Sequence, residues 1–190
     1  MTLRDEMPRT TCDCDHCKVG CATMPGMLGI GDAARITEYM RQQLAPMELA
    51  GLELLETHFV ASEGAKVGKI LPCGGTEIFS IPTIAPAQKE NGECVFYRDG
   101  GCLVHPVSPA GCALVDSHMP REEGNVIVGA LLAEIHADHR ADGPYSRLWR
   151  HLQNAGKIAR PRLERRGAFE RQFAQLGPCP QNPPPQILDA

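Results

Sequence analysis

Nine cysteines are the residues of this 190-residue chain whose chemistry stands out, and four of them lie close together. They follow the pattern Cys12-x-Cys14-x2-Cys17-x3-Cys21. Such tight spacing lets one loop wrap a tetrahedral centre, because zinc needs its thiolate ligands at about 2.3 Å. Gly20 can supply the unusual backbone angles that such a loop requires. Iron–sulfur loops use comparable spacings, so this segment predicts a thiolate site for zinc or for an iron–sulfur centre.

A second cysteine segment has the pattern Cys94-x7-Cys102-x9-Cys112. Two apolar runs flank Asp99-Gly100 between the first two cysteines, which is typical of a β-hairpin turn. Cys94 and Cys102 would then lie at the two ends of the hairpin, where their thiolates can approach each other across the strands. A Pro-Ala-Gly turn before Cys112 can return it to this pair. We therefore expect two segments far apart in sequence to meet around a shared metal.

Further metal ligands are considered at Cys73 and at His118, because histidine often accompanies cysteine at metal sites. His105 is considered for the same reason. With Cys73, eight cysteines would suffice for two four-thiolate sites, and one site with spare cysteines is equally compatible. A cysteine without a ligand role is usually a small buried apolar residue. Cys179 lies between two prolines near the end of the chain and is expected to take no part.

Charge and composition narrow the class of protein. The net charge of −4 argues against nucleic acid as the main partner, because phosphate binding needs an excess of Lys and Arg. The first residues are polar and show no signal peptide, and no apolar run is long enough to cross a bilayer. We therefore expect a cytoplasmic protein with no membrane partner. Thiols stay reduced in that compartment, where clustered cysteines hold metals more often than disulfides.

Hydrophobic periodicity predicts helices on both sides of the cysteine segments. A helix is expected to begin at Asp32 as its N-cap, and a second helix to run from Met47 to Val60 and end at Gly64. Prolines and glycines break the extended region 66–84, so its strands are expected to be short or to lie at the edge of a sheet. The remaining predictions are loops at 12–31 and 106–120 and helices over about 123–140, 145–153 and 162–176.

These elements predict an α+β fold that is mostly helical, with a small cysteine-bearing β-hairpin or short sheet and metal-binding loops. We expect a flexible tail over residues 1–11 and a single cysteine-cluster domain over residues 12–176. A proline-rich C-terminal tail is expected over residues 177–190.

The two cysteine segments together resemble the YkgJ-like cysteine-cluster family, a zinc- or iron-chelating CxxCxxCC domain. The resemblance covers about residues 12–118. It is carried by Cys14-x2-Cys17-x3-Cys21, by PGMLGIGDAARI at 25–36 and by GECVFYRDGGCLVHPVSPAGC at 92–112. Three features depart from the family pattern. Gly20 precedes Cys21 where the family often has adjacent cysteines, and Ser108-Pro109-Ala110-Gly111 replaces the usual Arg-Pro before the last cysteine. Cys12 adds a thiol to the first motif. The resemblance implies metal binding, does not choose between zinc and iron, and gives no substrate.

The leading prediction is a metal-binding protein whose cysteines hold zinc or an iron–sulfur centre. Its partners would be the metal ion and, in an electron-transfer role, a protein redox or substrate partner. The alternative is an iron–sulfur oxidoreductase or a metal-dependent modifying enzyme, which needs a redox cluster or an open coordination position. A metal-free thiol redox protein is a third interpretation, although the chain lacks the Cys-x-x-Cys helix start in a βαβ unit. Whether the protein is an enzyme stays open at this point.

Overall fold

The structure is a computed structural model that describes residues 7, 15–43, 52–70, 72, 74–116 and 119–176. Over these residues the chain has a mostly helical α+β fold with two small antiparallel sheets, as predicted. The helices are α1 (Asp15–Thr23), α2 (Asp32–Gln43), α3 (Leu52–His58), α4 (Ala110–Asp116), α5 (Arg121–Arg140), α6 (Pro144–Asn154) and α7 (Arg162–Phe173). The strands are β1 (Phe59–Ile70), β2 (Thr76–Pro86), β3 (Tyr97–Arg98) and β4 (Gly101–Cys102), and a 3-10 helix spans His105–Val107.

The structure describes almost none of the two predicted tails. Residues 177–190 lie outside the described residues, and so does most of 1–11. Met7 is described, and it is buried in the hydrophobic core.

Residues 15–23 are helical, so the prediction of a loop over 12–31 is wrong for that part of the first cysteine segment. Gly20 has ordinary helical backbone in α1 rather than the unusual backbone angles expected of a metal-binding loop. Thr23 donates its hydroxyl hydrogen bond to the Val19 carbonyl at 2.7 Å within the last turn. A nine-residue helix is marginal by itself, and α1 packs against α7, which supplies the tertiary support that local patterning does not show.

Helix α2 begins where the sequence predicts, at Asp32, and its core-facing residues Ile36 and Met40 are fully buried. Asp32 is the first helical residue rather than the cap before it. Its carboxylate bonds to the loop ahead of the helix and to a distant segment, as described below. The N-cap prediction is therefore wrong in detail, although the boundary is right.

The second predicted helix is wrong beyond His58, because Phe59 and Val60 open strand β1. Strands β1 and β2 form one long antiparallel hairpin, with a register from Phe59 opposite Pro86 to Ile70 opposite Thr76. Pairing along this whole ladder outweighs a local helical pattern. Gly64 lies at a bulge in β1 with φ of +96°, where a Cβ would overlap the Ile81 carbonyl, so glycine is required there rather than as a helix stop.

The cysteine-bearing hairpin forms at the predicted turn but is very short. Asp99 and Gly100 have φ of 52° and 80°, the two positive values that a type I′ turn needs. Each strand has only two residues, with Tyr97 opposite Cys102. Cys94 therefore lies outside the hairpin, where it forms an isolated bridge with Gln88.

The segment 106–120 is not a loop throughout, because the 3-10 helix and α4 occupy much of it. The three later helices agree with the predicted ranges. In the part of the chain that the structure describes, no helix combines the length and apolar character needed to cross a lipid bilayer.

One buried tyrosine connects the helices to the loop that follows α1. The Tyr145 hydroxyl accepts a hydrogen bond from the Ile84 N–H at 2.7 Å and donates one to the Leu28 carbonyl at 3.0 Å. The Leu28 N–H in turn donates to the Ile84 carbonyl at 2.8 Å. Together α6 and β2 therefore hold the loop between α1 and α2 in one place, and the Gly26 N–H of that loop contacts Cys112 Sγ at the site.

Candidate metal centre

Four cysteines from four parts of the chain line one small cavity. Cys21 comes from the second half of α1, Cys94 from the bridge before the short hairpin, Cys102 from β4 and Cys112 from α4. The cavity has a volume of about 20 Å³. Two cysteine segments that are distant in sequence thus meet in space.

Backbone hydrogen bonds bring the first two of these cysteines together. The Cys94 N–H donates to the Ala22 carbonyl at 2.6 Å, directly beside Cys21 in α1. The Gln88 side-chain amide donates to the Thr23 carbonyl at 2.9 Å. The segment before the hairpin is therefore fastened to the C-terminal turn of α1.

A tight reversal places the third cysteine next to Cys94. The Tyr97 N–H donates to the Cys94 carbonyl at 3.0 Å, and the Leu103 N–H donates to the Phe96 carbonyl at 2.9 Å. Cys102 pairs with Tyr97 in the sheet. The reversal around the Asp-Gly turn thus returns Cys102 to the cavity even though Cys94 is not its cross-strand partner.

The fourth cysteine reaches the cavity because two glycines let two segments cross at backbone contact. The Gly111 N–H donates to the Met27 carbonyl at 2.9 Å, and the Gly26 N–H points at Cys112 Sγ at 3.1 Å. A Cβ on Gly26 would overlap the Gly111 carbonyl carbon and the Cys112 nitrogen, and a Cβ on Gly111 would lie 2.6 Å from the Met27 nitrogen. Any side chain at this crossing would push Cys112 away from the other three thiols.

The rest of the cavity wall is largely apolar. Its other lining residues are Pro86, Phe96, Tyr97, Val104, His105, Ser108 and Pro109. Phe96 and Val104 are fully buried, so water has little access from that side. An apolar surround of this kind lowers the local dielectric and strengthens the interaction of a thiolate with a cation.

Burial makes the thiols of Cys94 and Cys112 poor acids in the absence of a cation. Burial is the main cause that raises the pKa of Cys94 to about 12, against a backbone hydrogen bond from Phe96 that lowers it, and the neighbouring Cys102 and Cys21 contribute in the raising direction. Burial also raises the pKa of Cys112 well above its ordinary value, with the same contribution from its three cysteine neighbours. Cys94 and Cys112 therefore stay protonated at neutral pH in the metal-free protein, and a bound cation would favour their thiolate forms.

The structure leaves several predicted ligands without a described position. Cys12, Cys14, Cys73 and His118 lie outside the described residues, and so does Cys179. The backbone of Cys17 is part of α1, one helical turn before Cys21, but its side chain is not described. His105, which was considered as a ligand, lines the cavity.

The four thiols line one cavity, but their sulfur atoms do not converge on one point where a metal ion could be bound. Among the described residues, no group of three or more His, Cys, Asp or Glu side chains stands where it could hold a metal ion. No disulfide joins the cysteines whose side chains are described. Metal binding would therefore require the sulfurs to move inward to about 2.3 Å from the ion.

Comparison of the chain with protein-family models, with curated proteins and with solved structures found no match. The resemblance to the YkgJ-like family therefore stays a prediction that rests on the cysteine motifs.

Sequence reasoning did not identify the residues that shape the site. The sequence predicts loops at Gly26 and Gly111 and a strand at Phe96, and it indicates no role for them at the site. One sequence feature could have indicated this crossing. Each of the two glycines is next to a proline or a cysteine, in a segment where the cysteines already predict a metal site. No local sequence pattern predicts that the two glycines contact each other.

A histidine on the outer side of the cavity wall predicts pH-dependent stability. His58 stacks on Phe96 with ring centroids 5.4 Å apart, and its Nδ1 lies 2.9 Å from the Leu54 carbonyl. Burial lowers the pKa of His58 below 6.5, against the opposing effect of the carbonyl. Because the folded state disfavours the protonated ring, the free energy of unfolding keeps its full value above pH 6.5. It falls as pH drops below 6.5 towards the lowered pKa, by at most about 1.4 kcal/mol per pH unit.

Urea unfolding of wild-type protein and of His58→Gln between pH 7.5 and pH 5 measures this effect. We expect the difference in unfolding free energy between the two proteins to change over this range, because glutamine does not titrate. Comparison at each pH removes the contribution of every other titrating group. A difference that stays constant with pH would show that protonation of His58 costs the fold nothing.

Proposed function

We propose that this protein binds a metal through Cys21, Cys94, Cys102 and Cys112, and that the metal is zinc or an iron–sulfur centre. The observation that carries the proposal is the convergence of four thiols from four segments on one cavity. Four cysteine ligands without an open position are typical of structural centres. The bound metal would then cross-link α1, the bridge before the hairpin, β4 and α4.

The size of the cavity favours a single ion. A volume of about 20 Å³ exceeds the roughly 10–15 Å³ that one water molecule needs. A single ion with its thiolates drawn inward fits this space. A cluster of several iron and sulfide atoms is larger than a single ion and would need a wider cavity.

The chemistry of the thiols supports metal binding over metal-free thiol catalysis. A reactive cysteine has a lowered pKa and an exposed sulfur beside a positive group. Cys94 has the opposite properties, because it is buried and its pKa is raised. Such a thiol is a poor nucleophile at neutral pH, whereas a bound cation would displace its proton.

Elemental analysis together with the visible spectrum of anaerobically purified protein tests the proposal. Colourless protein with one zinc per chain supports a single structural ion. Brown protein with iron and acid-labile sulfide supports the iron–sulfur alternative. Folded protein that holds no metal, and that takes none up from added zinc or iron, would refute the proposal.

Substitution of one cavity cysteine should remove the metal. We expect Cys102→Ser to lose nearly all bound metal and to be less soluble, because three thiols hold a tetrahedral ion poorly. The matched control is Val115→Ser on α4, which alters a side chain that is 58% exposed and does not line the cavity. Full metal content in Cys102→Ser at an unchanged melting temperature would remove this cysteine from the ligand set.

The same measurement on Cys17→Ser tests the ligand predicted from the sequence alone. The four-ligand proposal predicts that this variant keeps its metal, because the four thiols of the cavity already complete a tetrahedral site, whereas a ligand role for Cys17 predicts that the metal is lost. If Cys17→Ser keeps its metal while Cys102→Ser loses it, the four thiols of the cavity suffice.

A further inference from the structure

The carboxylate of Asp32 is almost completely buried, and it joins three parts of the fold. Its side chain is 1% exposed. Oδ2 accepts hydrogen bonds from the Gly29 N–H at 2.8 Å and from the Ala110 N–H at 2.7 Å. Oδ1 accepts one from the Arg35 guanidinium at 2.6 Å, and this guanidinium also donates to the Ser108 carbonyl at 3.3 Å.

These contacts lie on both sides of the glycine crossing that places Cys112. Gly29 belongs to the loop that contains Gly26, and Ala110 opens α4 two residues before Cys112. A single carboxylate oxygen thus holds the two crossing segments in register. A buried carboxylate with a paired cation and two backbone donors is costly to disturb, so it fixes these positions firmly.

We propose that Asp32 is a positioning residue for the metal centre and acts through Cys112. The inference rests on the proposed metal site and extends it to the rate at which the metal is released. Partners that orient a ligand from outside the coordination sphere commonly change metal affinity by about 10- to 100-fold. Loss of the Asp32 contacts would let α4 shift against the α1–α2 loop, and the Cys112 sulfur would shift with it.

The test is the rate of zinc release from loaded protein to an excess of a coloured chelator, well below the unfolding temperature. We expect Asp32→Ala to release zinc about 10- to 100-fold faster than wild type. Asp32→Asn should recover the wild-type rate in part, because its oxygen can still accept both N–H groups while its NH2 group replaces the oxygen that pairs with Arg35. The control is Trp149→Phe, which loses a 3.0 Å hydrogen bond to the Ser62 carbonyl away from the cavity, and its release rate should be unchanged.

Double variants separate positioning from general stability. Cadmium titration measures affinity even when three thiols remain. Asp32→Ala should weaken cadmium binding in a Cys21→Ser background and should have little effect in a Cys112→Ser background. If Asp32→Ala does not fold, Asp32→Ser replaces it, since its hydroxyl can still accept one N–H.

The possible results test the role of Asp32 separately from the proposed metal binding. Wild-type protein that binds no metal overturns the proposed function. Wild-type protein that binds metal, with an unchanged release rate in Asp32→Ala or with equal weakening in both cysteine backgrounds, overturns only the role of Asp32.

Discussion

Removal of the metal should lower the melting temperature of the wild-type protein by about 10–20 °C. Structural zinc contributes about 10–16 kcal/mol of apparent binding energy in small zinc-dependent domains. This chain has a hydrophobic core of its own, so we expect a smaller contribution of about 5 kcal/mol. Each kcal/mol corresponds to about 2–4 °C in a domain of this size.

The physical reason is that a bound metal would cross-link the four segments around the cavity directly. Backbone hydrogen bonds such as Cys94 to Ala22 and Gly111 to Met27 hold them, and each contributes only about 1 kcal/mol. Scanning calorimetry before and after chelation, and after zinc is added back, measures the effect. Cys102→Ser is the control, because a chelator should not change a protein that has already lost its metal. An unchanged melting temperature in protein verified to be metal-free would mean that the metal has no structural role.

Gly26→Ala should destabilise the protein by about 3 kcal/mol or more and abolish metal binding. Its new Cβ would overlap the Gly111 carbonyl carbon and the Cys112 nitrogen, which are backbone atoms and cannot rotate away. The crossing segments must separate to admit the methyl group. That movement breaks the hydrogen bond from the Gly26 N–H to Cys112 Sγ and withdraws this thiol from the cavity.

Gly20→Ala is the matched control for this substitution, and it should have the opposite sign. Gly20 lies inside α1, and no atom is within 4 Å of the position that its Cβ would take. Alanine is favoured over glycine in a helix by about 1 kcal/mol, so we expect a gain of roughly that size. Urea unfolding in excess zinc, with metal content measured in parallel, gives both values. Equal effects of the two substitutions would contradict the crossing that the structure shows.

The sequence was informative wherever a local rule was sufficient. The Asp99-Gly100 pair requires two positive φ values, so the reversal between Cys94 and Cys102 could be placed from the sequence. Helices α2, α5 and α6 bury residues at helical spacing, and their ranges were predicted within a few residues.

Local rules failed where distant parts of the chain decided the backbone. The 15–23 segment reads as a loop because of its cysteines and Gly20, yet contact with α7 makes it a helix. Phe59 and Val60 continue a helical pattern, yet pairing with β2 places them in a strand. In both cases the stabilising contacts come from residues far away in sequence, which no periodicity records.

The types and spacing of the cysteines alone determined which chemistry to look for, because clustered thiols are typical of metal sites. Only the tertiary structure decided which of the described cysteines line the same cavity. They are Cys21, Cys94, Cys102 and Cys112. That choice depends on the contact of Gly26 with Gly111 and on the buried Asp32 carboxylate. Both join segments that are far apart in the chain, and packing of the whole fold is what brings such segments together.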